Sequence, residues 1–368
     1  MAAEPYDIVV GRNDLTNVRV VPAAPVGIGA DQVHVSIETY ALTANNITYG
    51  VVGEAMKYWD FFPAPEGMGR IPVWGFGTVA KSRRSDVAVG ERLYGYWPMS
   101  SDVLLTIGSA TPAALTETSP NRAELASVYN TYVRVAADPS MPPGSEPFVS
   151  LFRPLFATSY LIDDFLAESG FFGATTVLIT SASSKTSIGL AHCLRKRSAG
   201  RPEIVGLTSK GNAAFVAGLG TYDDVVTYEA IGSLRAPMGA VVVDMAGGET
   251  TLRAIHATLG DDLKYSCRVG FTQWQDAKPA IDGLPGVRPA FFFAPDRAKA
   301  RLTDWGPREF AKRVGSASAS FVADAQRWLK IERHHGPEAI VAAYRTILNG
   351  EARPDVGISC MPLRAKLE

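Results

Sequence analysis

Hydrophobic and polar positions along this chain fall into two regimes. Gln32 to Tyr40, QVHVSIETY, alternates as a strand with one buried face does. Ile71 to Ala80 (IPVWGFGTVA), Gly90 to Tyr96 (GERLYGY) and Val128 to Val135 (VYNTYVRV) read as further short strands, the first two separated by the basic loop KSRRSD. Met99 to Leu125 is polar and irregular, and it predicts a long loop. The Pro-rich stretch ADPSMPPGSEP then marks a joint between domains. Beyond the joint, Leu155, Ser159, Ile162 and Leu166 recur at helical spacing. Thr175 to Thr180 is a short β-branched run, followed by a cluster of Ser, Lys and Thr and then by Ile188, Leu190, Ala191 and Leu194, again at helical spacing. That stretch predicts strand, tight polar turn, helix. EIVGLTS, DDVVTYE, AVVVDMAGG, KYSCRVGF and AFFFAP continue as apolar runs alternating with the helical segments NAAFVAGLG and TLRAIHATL. Such alternation predicts an α/β fold with a doubly wound parallel sheet. The remainder, from Ala323 to Pro362, predicts two helices and a terminal strand.

Length and charge narrow the class. A chain of 368 residues suggests about two domains. With 36 basic and 37 acidic residues the net charge is -1, which recommends neither nucleic acid nor an anionic membrane as a partner. Cys193, Cys267 and Cys360 lie far apart, in neither zinc nor disulfide spacing, and fit a reducing cytoplasm. No run approaches the ~20 apolar residues of a membrane span.

The turn after Thr180 carries the first candidate chemistry. A strand that delivers the chain to a helix N-terminus places backbone N–H groups and a positive dipole end where a phosphate binds well. The usual GxGxxG glycines are missing; Ser181, Ala182, Ser183, Ser184, Lys185, Thr186 and Ser187 stand in their place, and only Gly189 remains. Hydroxyls and the Lys185 ammonium contact phosphate here in place of bare backbone, or the turn is merely solvated. At the end of the second strand of this domain, Leu207, Thr208, Ser209, Lys210 and Asn212 include no carboxylate, and hydroxyls with an ammonium suit the 2′-phosphate of NADP(H). Ser209 and Asn212 also suit a helix cap.

The second candidate region is aromatic. Asn45, Asn46, Tyr49, Tyr58, Trp59, Phe61 and Phe62 are close in sequence and suit a pocket wall, or equally an ordinary core. His34 and His192 read as satisfied histidines, Asp163 and Asp164 as solvated or capping residues, and Arg122 as an ordinary surface charge or as a loop cation able to meet an anionic group such as a carboxylate.

The order of these parts resembles the medium-chain dehydrogenase/reductase superfamily, in particular its zinc-free quinone oxidoreductase and enoyl reductase branch. VHVSIETYALTANNITYG is similar to that branch's VEVLVRVEAxGLNPxD, which sets Asn46 where the branch often has Asp. GERLYG matches its GDRVxG, and Thr180 to Gly189 matches VTGASGGVG in position but not in glycines, with two extra residues. IVGLTSKGNAAFVAGLGTYDDVVTYE and VVVDMAGGETTLRAI are similar to the stretches that follow. YWDFFP, PVWGFG and SASSKTSIGLA look closest to a bacterial family described as a domain of unknown function.

The resemblance implies a GroES-like β-rich substrate domain over 1–145, a Rossmann nucleotide-binding domain over 146–310, and a segment over 311–368 that returns to the first domain; it also implies a homodimer. Zinc members need Cys and His ligands, and the first 170 residues hold no Cys and His34 as their one His, so no metal is expected. By resemblance Thr158 faces the nicotinamide amide, and Phe292, Phe293 and Ala294 form a backbone clamp opposite, or serve only as strand core. Tyr49 and Tyr58 are the candidate proton donors, with Asn46 as an amide donor to an enolate oxygen. Trp59, Phe62, Trp74 and Trp97 would shape an apolar substrate pocket, and Arg122 of the long loop is a further substrate-binding candidate. The implied activity is NADPH-dependent, zinc-independent hydride transfer to a hydrophobic, aromatic carbonyl or conjugated alkene. Two alternatives stand beside it: non-redox lyase or isomerase chemistry on an aromatic carbonyl compound, and non-catalytic binding of a nucleotide or other ligand.

Overall fold

The structure is a computed structural model and describes residues 4–23, 27–270, 281 and 283–362. The chain divides into two compact units, one formed by 1–151 with 330–368 and the other by 152–329.

In chain order the first unit contains β1 (Tyr6–Gly11), β2 (Val18–Pro22), β3 (Gln32–Leu42), α1 (Ala44–Val51), β4 (Met68–Gly69), β5 (Pro72–Ser82), β6 (Arg92–Pro98), β7 (Asp102–Ala110), β8 (Ala114–Glu117) and β9 (Thr131–Arg134). The long helix α2 (Glu146–Glu168) carries the chain across the division. The second unit continues with β10 (Thr176–Ile179), α3 (Lys185–Arg195), β11 (Glu203–Thr208), α4 (Ala213–Gly218), β12 (Asp224–Thr227), β13 (Ala240–Asp244), α5 (Glu249–Leu259), β14 (Leu263–Arg268), β15 (Ala290–Phe291), α6 (Ala294–Trp305) and α7 (Pro307–Ala325). The chain then returns to the first unit with β16 (Lys330–His335), α8 (Gly336–Leu348) and β17 (Val356–Met361).

In the first unit the strands run β16-β17-β3-β5-β6-β9-β8-β7, and a further pairing of β3 with β7 closes the ring into a barrel. Alternation fills it: Val33, Val35 and Ile37 of β3 face inward and are fully buried. Two expectations change here. The predicted loop from Met99 to Leu125 is largely sheet, because Val103, Leu105 and Ile107 alternate and bury one face of β7, which pairs antiparallel with both β3 and β8. KIERHH, in a stretch expected to hold two helices and one terminal strand, is a further strand, β16, paired in parallel with β17.

The second unit holds a parallel sheet of order β12-β11-β10-β13-β14-β15. Ile204, Val241, Val242 and Val243 are fully buried, as β-branched runs covered on both faces must be. Phe271, expected at the end of β14, lies outside the described residues. The stretch 311–329, expected with the returning segment, belongs instead to this unit: α7 buries Phe321 against Phe152 (ring centroids 4.9 Å apart) and Phe156 (5.0 Å) of α2. Asp163 and Asp164 are not simply solvated. Asp163 pairs with Arg197 at 2.9 Å, and Asp164 with Arg297 at 2.5 Å and Arg301 at 2.7 Å, which fastens α6 to α2.

Candidate active site

The sheet of the second unit reverses its direction of growth between β10 and β13, and the polar turn leaves the carboxyl end of β10 at that switch point. Ser184 caps α3, its Oγ accepting from the Ser187 amide at 3.2 Å and donating to Ser187 Oγ at 2.8 Å. The first intrahelical bond joins the Ile188 amide to the Ser184 carbonyl at 2.9 Å, so the Lys185 and Thr186 amides lie ahead of it at the positive end of the helix. Ser187 Oγ also donates to the Thr180 carbonyl at 2.9 Å, and Ser159 Oγ donates to the Thr186 carbonyl at 2.7 Å.

The missing glycines have local replacements. Ser181 takes up the left-handed conformation, φ 46°, that a glycine would adopt at no steric cost. Its amide donates to the Tyr228 hydroxyl at 2.9 Å, while the Tyr222 hydroxyl donates to the Ala182 carbonyl at 2.7 Å. Ala182 fits because its neighbour on β11 is Gly206, where an added Cβ would stand 2.9 Å from the Ala182 Cβ. Gly189 allows α3 to pack on α2, since a Cβ there would meet Ser159 Oγ at 2.7 Å. The glycine has thus moved from the turn to the strand beside it.

Ser209 and Lys210 are exposed at the end of β11, and Asn212 Nδ2 donates to Ser183 Oγ at 3.1 Å, which ties this edge to the turn. Glu229 lies near it: hydrogen bonds to its own backbone amide and to Thr227 hold its carboxyl below the usual value, with the Lys210 charge adding to the effect. Thr158 Oγ1 donates back to the Pro154 carbonyl at 3.2 Å. Phe293 precedes α6, and its carbonyl accepts from the Asp296 amide at 3.1 Å. Below the turn, buried Asp244 receives Thr180 Oγ1 at 2.8 Å and the Ala246 and Gly247 amides at 3.1 Å each. The Lys185 and Thr186 amides at the N-capped helix end and the exposed Lys210 form a donor set that fits a phosphorylated ligand.

In the first unit, Tyr49 on α1 and Tyr58 meet at 4.6 Å between ring centroids. Tyr96 of β6 and Tyr129, which the sequence did not single out, join them: Tyr96 stands edge-on to Tyr49 at 5.6 Å and 4.6 Å from Tyr129. The Tyr58 and Tyr129 hydroxyls are 3.1 Å apart, and half-buried Trp74 donates its indole N–H to the Tyr49 oxygen at 3.3 Å. Burial pushes all four phenols above their ordinary pKa. The signal for Tyr96 was its place in the short predicted strand GERLYGY; nothing local distinguished Tyr129.

Five expected site residues are structural instead. Asn46 closes a capping box, its Oδ1 accepting from the Thr43 amide at 2.7 Å and its Nδ2 donating to the Pro72 carbonyl at 2.8 Å, so the buried side chain is held in the cap of α1. Trp59 is wedged against Gly53 and Gly69, where an added Cβ would reach its ring at 2.3 and 2.4 Å. Trp97 points into the barrel, donating to the Gly75 carbonyl at 2.8 Å. Phe62 is buried beneath the Arg122 guanidinium, 4.5 Å from the ring centroid. Arg122 is itself buried, donating to the Phe61 carbonyl at 3.0 Å and the Tyr132 hydroxyl at 3.1 Å, and facing Glu117 at 3.3 Å. His34 and His192 sit 3.3 and 3.2 Å from Asp102 and Asp324.

A closed β-barrel unit and a parallel sheet of this order, with the turn at its switch point, define the two-domain fold of the medium-chain dehydrogenase/reductase superfamily. CurA from Vibrio vulnificus in complex with NADPH has a similar fold, with a TM-score of 0.61 at 12% identity over 97% of this chain and 99% of that one. The quinone oxidoreductase from Coxiella burnetii gives 0.53 at 13% identity (98% and 99% covered). The yhdH oxidoreductase from Salmonella enterica in complex with NADP gives 0.52 at 12% identity (97% and 99% covered). No protein of curated function matches by sequence. Residues 40–353 match the family described as "Protein of unknown function (DUF2855)", and the chain belongs to that family.

Proposed function

We propose that this protein is a zinc-independent oxidoreductase that uses NADP(H) to reduce a hydrophobic, aromatic carbonyl or a conjugated alkene of the enone or quinone kind. The observation that carries the reading is the turn from Thr180 to Ser187, set at the switch point of the parallel sheet with the α3 N-terminus behind it. The NADPH and NADP bound to CurA and to the yhdH oxidoreductase support it. When bound, the nicotinamide supplies a hydride. On this reading Ser183, Ser184, Lys185 and Thr186 hold the pyrophosphate, and Ser209 and Lys210 hold the 2′-phosphate. Tyr49 or Tyr58 gives the proton that completes reduction, and Trp74 forms part of the apolar wall. A homodimer in a reducing cytoplasm belongs to the same reading, in keeping with free thiols at Cys193, Cys267 and Cys360.

The test is nucleotide binding by thermal shift and titration. NADPH at a hundredfold excess over its Kd should stabilise the fold by about 2.7 kcal/mol. Lys210→Ala should weaken NADPH by roughly 1.5 to 3 kcal/mol and leave NADH unchanged, since it removes one charge-assisted bond to the 2′-phosphate. No response to either nucleotide would sink the proposal. A second reading, lyase or isomerase chemistry without net redox, is favoured by the Tyr228 hydroxyl on the Ser181 amide, a donor that a pyrophosphate would otherwise receive. Turnover without nicotinamide oxidation would select it.

A further inference from the structure

We infer that the second unit carries an anion site apart from the polar turn: a groove between α2, the end of α3 and α7 that binds a small, multiply charged phosphate compound.

The groove has a volume of about 740 Å³ and opens to solvent. Its origin lies in the sequence of α7. Lys312, Arg313, Ser316, Ala317 and Ser320 recur at helical spacing on one face, and all five line the groove. The last three are small, so α7 does not fill the space beside the end of α3, where Ser198 and Ala199 are small as well. At Phe321 large side chains shut the interface again: its ring centroid lies 4.9 Å from that of Phe152, 5.0 Å from Phe156 and 5.4 Å from His192.

The walls of the groove are cationic. Lys196 and Arg197 stand at the end of α3 and Lys312 and Arg313 on α7, against one lining carboxylate, Asp163 of α2. That carboxylate is already bound to Arg197 at 2.9 Å. Glu309, which Lys312 also faces, is bonded to Arg313 at 2.8 Å, an exposed pair between helix neighbours that yields readily to a better anion. Among the described residues neither Lys196 nor Lys312 has an ion-pair partner. His192 is paired with Asp324 at 3.2 Å, and burial, the largest influence on it, lowers its pKa, so it adds little charge to the groove. A helix dipole accounts for Lys196 at the carboxyl end of α3. It does not account for Lys312 and Arg313, which lie in the N-terminal half of α7. Ammonium and guanidinium groups over a floor of serine hydroxyls suit a phosphate, whose oxygens accept several charge-assisted hydrogen bonds at once.

The groove and the turn are separate sites. The turn adjoins the N-terminus of α3 and the groove its C-terminus, and 11 helical residues put the two about 16 Å apart. One pyrophosphate group cannot reach both, and the inference does not depend on the proposed function.

The test is calorimetric titration of the full chain, in phosphate-free buffer of low ionic strength, with inorganic pyrophosphate and with glycerol phosphate. At least one of the two should bind, and added salt should weaken it, because the cations are exposed. Lys196→Ala and Lys312→Ala should each weaken that binding about tenfold, the loss of one charge-assisted hydrogen bond, and the two together should abolish it. Lys185→Ala and Lys210→Ala should leave it in place. Both groove lysines are exposed, so the variants should melt as the wild type does; should one not, Lys312→Gln removes the same charge with less change of shape. Tighter binding of pyrophosphate would assign the groove to a polyphosphate, and tighter binding of glycerol phosphate to a phosphate ester; either supports the site. Binding that survives loss of both groove lysines, binding lost in Lys185→Ala, or no binding of either compound would overturn it. NADPH affinity unchanged in the double groove variant would show that the two sites are independent, and failure of NADPH to bind any of these proteins would remove the proposed function and leave the groove standing.

Discussion

Replacing Arg122 by Met is expected to lower the stability of the fold by about 3 to 5 kcal/mol. The guanidinium and the Glu117 carboxylate are 3% and 1% exposed, so neither has water to fall back on. Glu117 Oε1 accepts from the Thr106 amide at 3.3 Å, the Ser119 amide at 3.1 Å and the Ser119 hydroxyl. Its Oε2 faces Arg122 Nε at 3.3 Å and has no hydrogen bond of its own. Removing the cation therefore strands a buried carboxylate, the costly half of a broken pair, and also strips Phe62 of its covering charge. Urea denaturation should show a lower midpoint at constant slope. Adding Glu117→Gln should recover part of the loss, because a neutral amide keeps an acceptor for the Thr106 and Ser119 amides without a net charge. A variant with an unchanged midpoint and a raised KM would return Arg122 to substrate binding.

Asp244→Ala should cost a similar amount, about 3 to 5 kcal/mol, and should weaken nucleotide binding as well. Asp244 Oδ1 gathers Thr180 Oγ1 and two backbone amides, and Thr180 Oγ1 in turn accepts from the Met245 and Ala246 amides at 2.9 and 3.0 Å. Because Thr180 is the last residue before the polar turn, losing the carboxylate loosens the support of the turn itself. It also removes the carboxylate that stands 4.0 Å from the Arg268 guanidinium, which is 5% exposed. Burial is the main influence on both partners, raising the Asp244 pKa and lowering that of Arg268. The pH dependence has a definite sign. An Asp whose folded pKa lies above its ordinary value of 3.8 binds its proton more tightly in the folded state. Its contribution is thus complete below that value and is lost as pH rises through the folded pKa. Asp244→Asn cannot titrate, so the stability of the wild type minus that of Asp244→Asn should decline as pH rises from about 4, measured by urea denaturation at a series of pH values. A difference that grows with pH would mean that Arg268 and the hydrogen bonds outweigh burial.

The sequence by itself determined the parallel sheet and the place of its turn. Buried parallel strands must be apolar on both faces, so Thr176–Ile179 and Ala240–Asp244 were visible as continuous β-branched runs whatever surrounded them. The helix after the turn declared itself through the helical spacing of Ile188, Leu190, Ala191 and Leu194. Tertiary structure decided the rest, because a period tells which side chains share a face but not what that face meets. Trp59, Phe62 and Trp97 carry the same apolar signal as Trp74, yet the first three are enclosed by glycine backbone, by a guanidinium and by the barrel. Arg122 reads as a loop cation until Glu117, Phe61 and Tyr132 surround it. Tyr49, Tyr58, Tyr96 and Tyr129 come from α1, β6 and two short 3-10 turns, separated by up to 80 residues, and only the tertiary fold brings their rings together. The glycine absent from the turn reappears as Gly206 on a neighbouring strand, since steric room belongs to the pair of backbones in contact and not to one position in the chain.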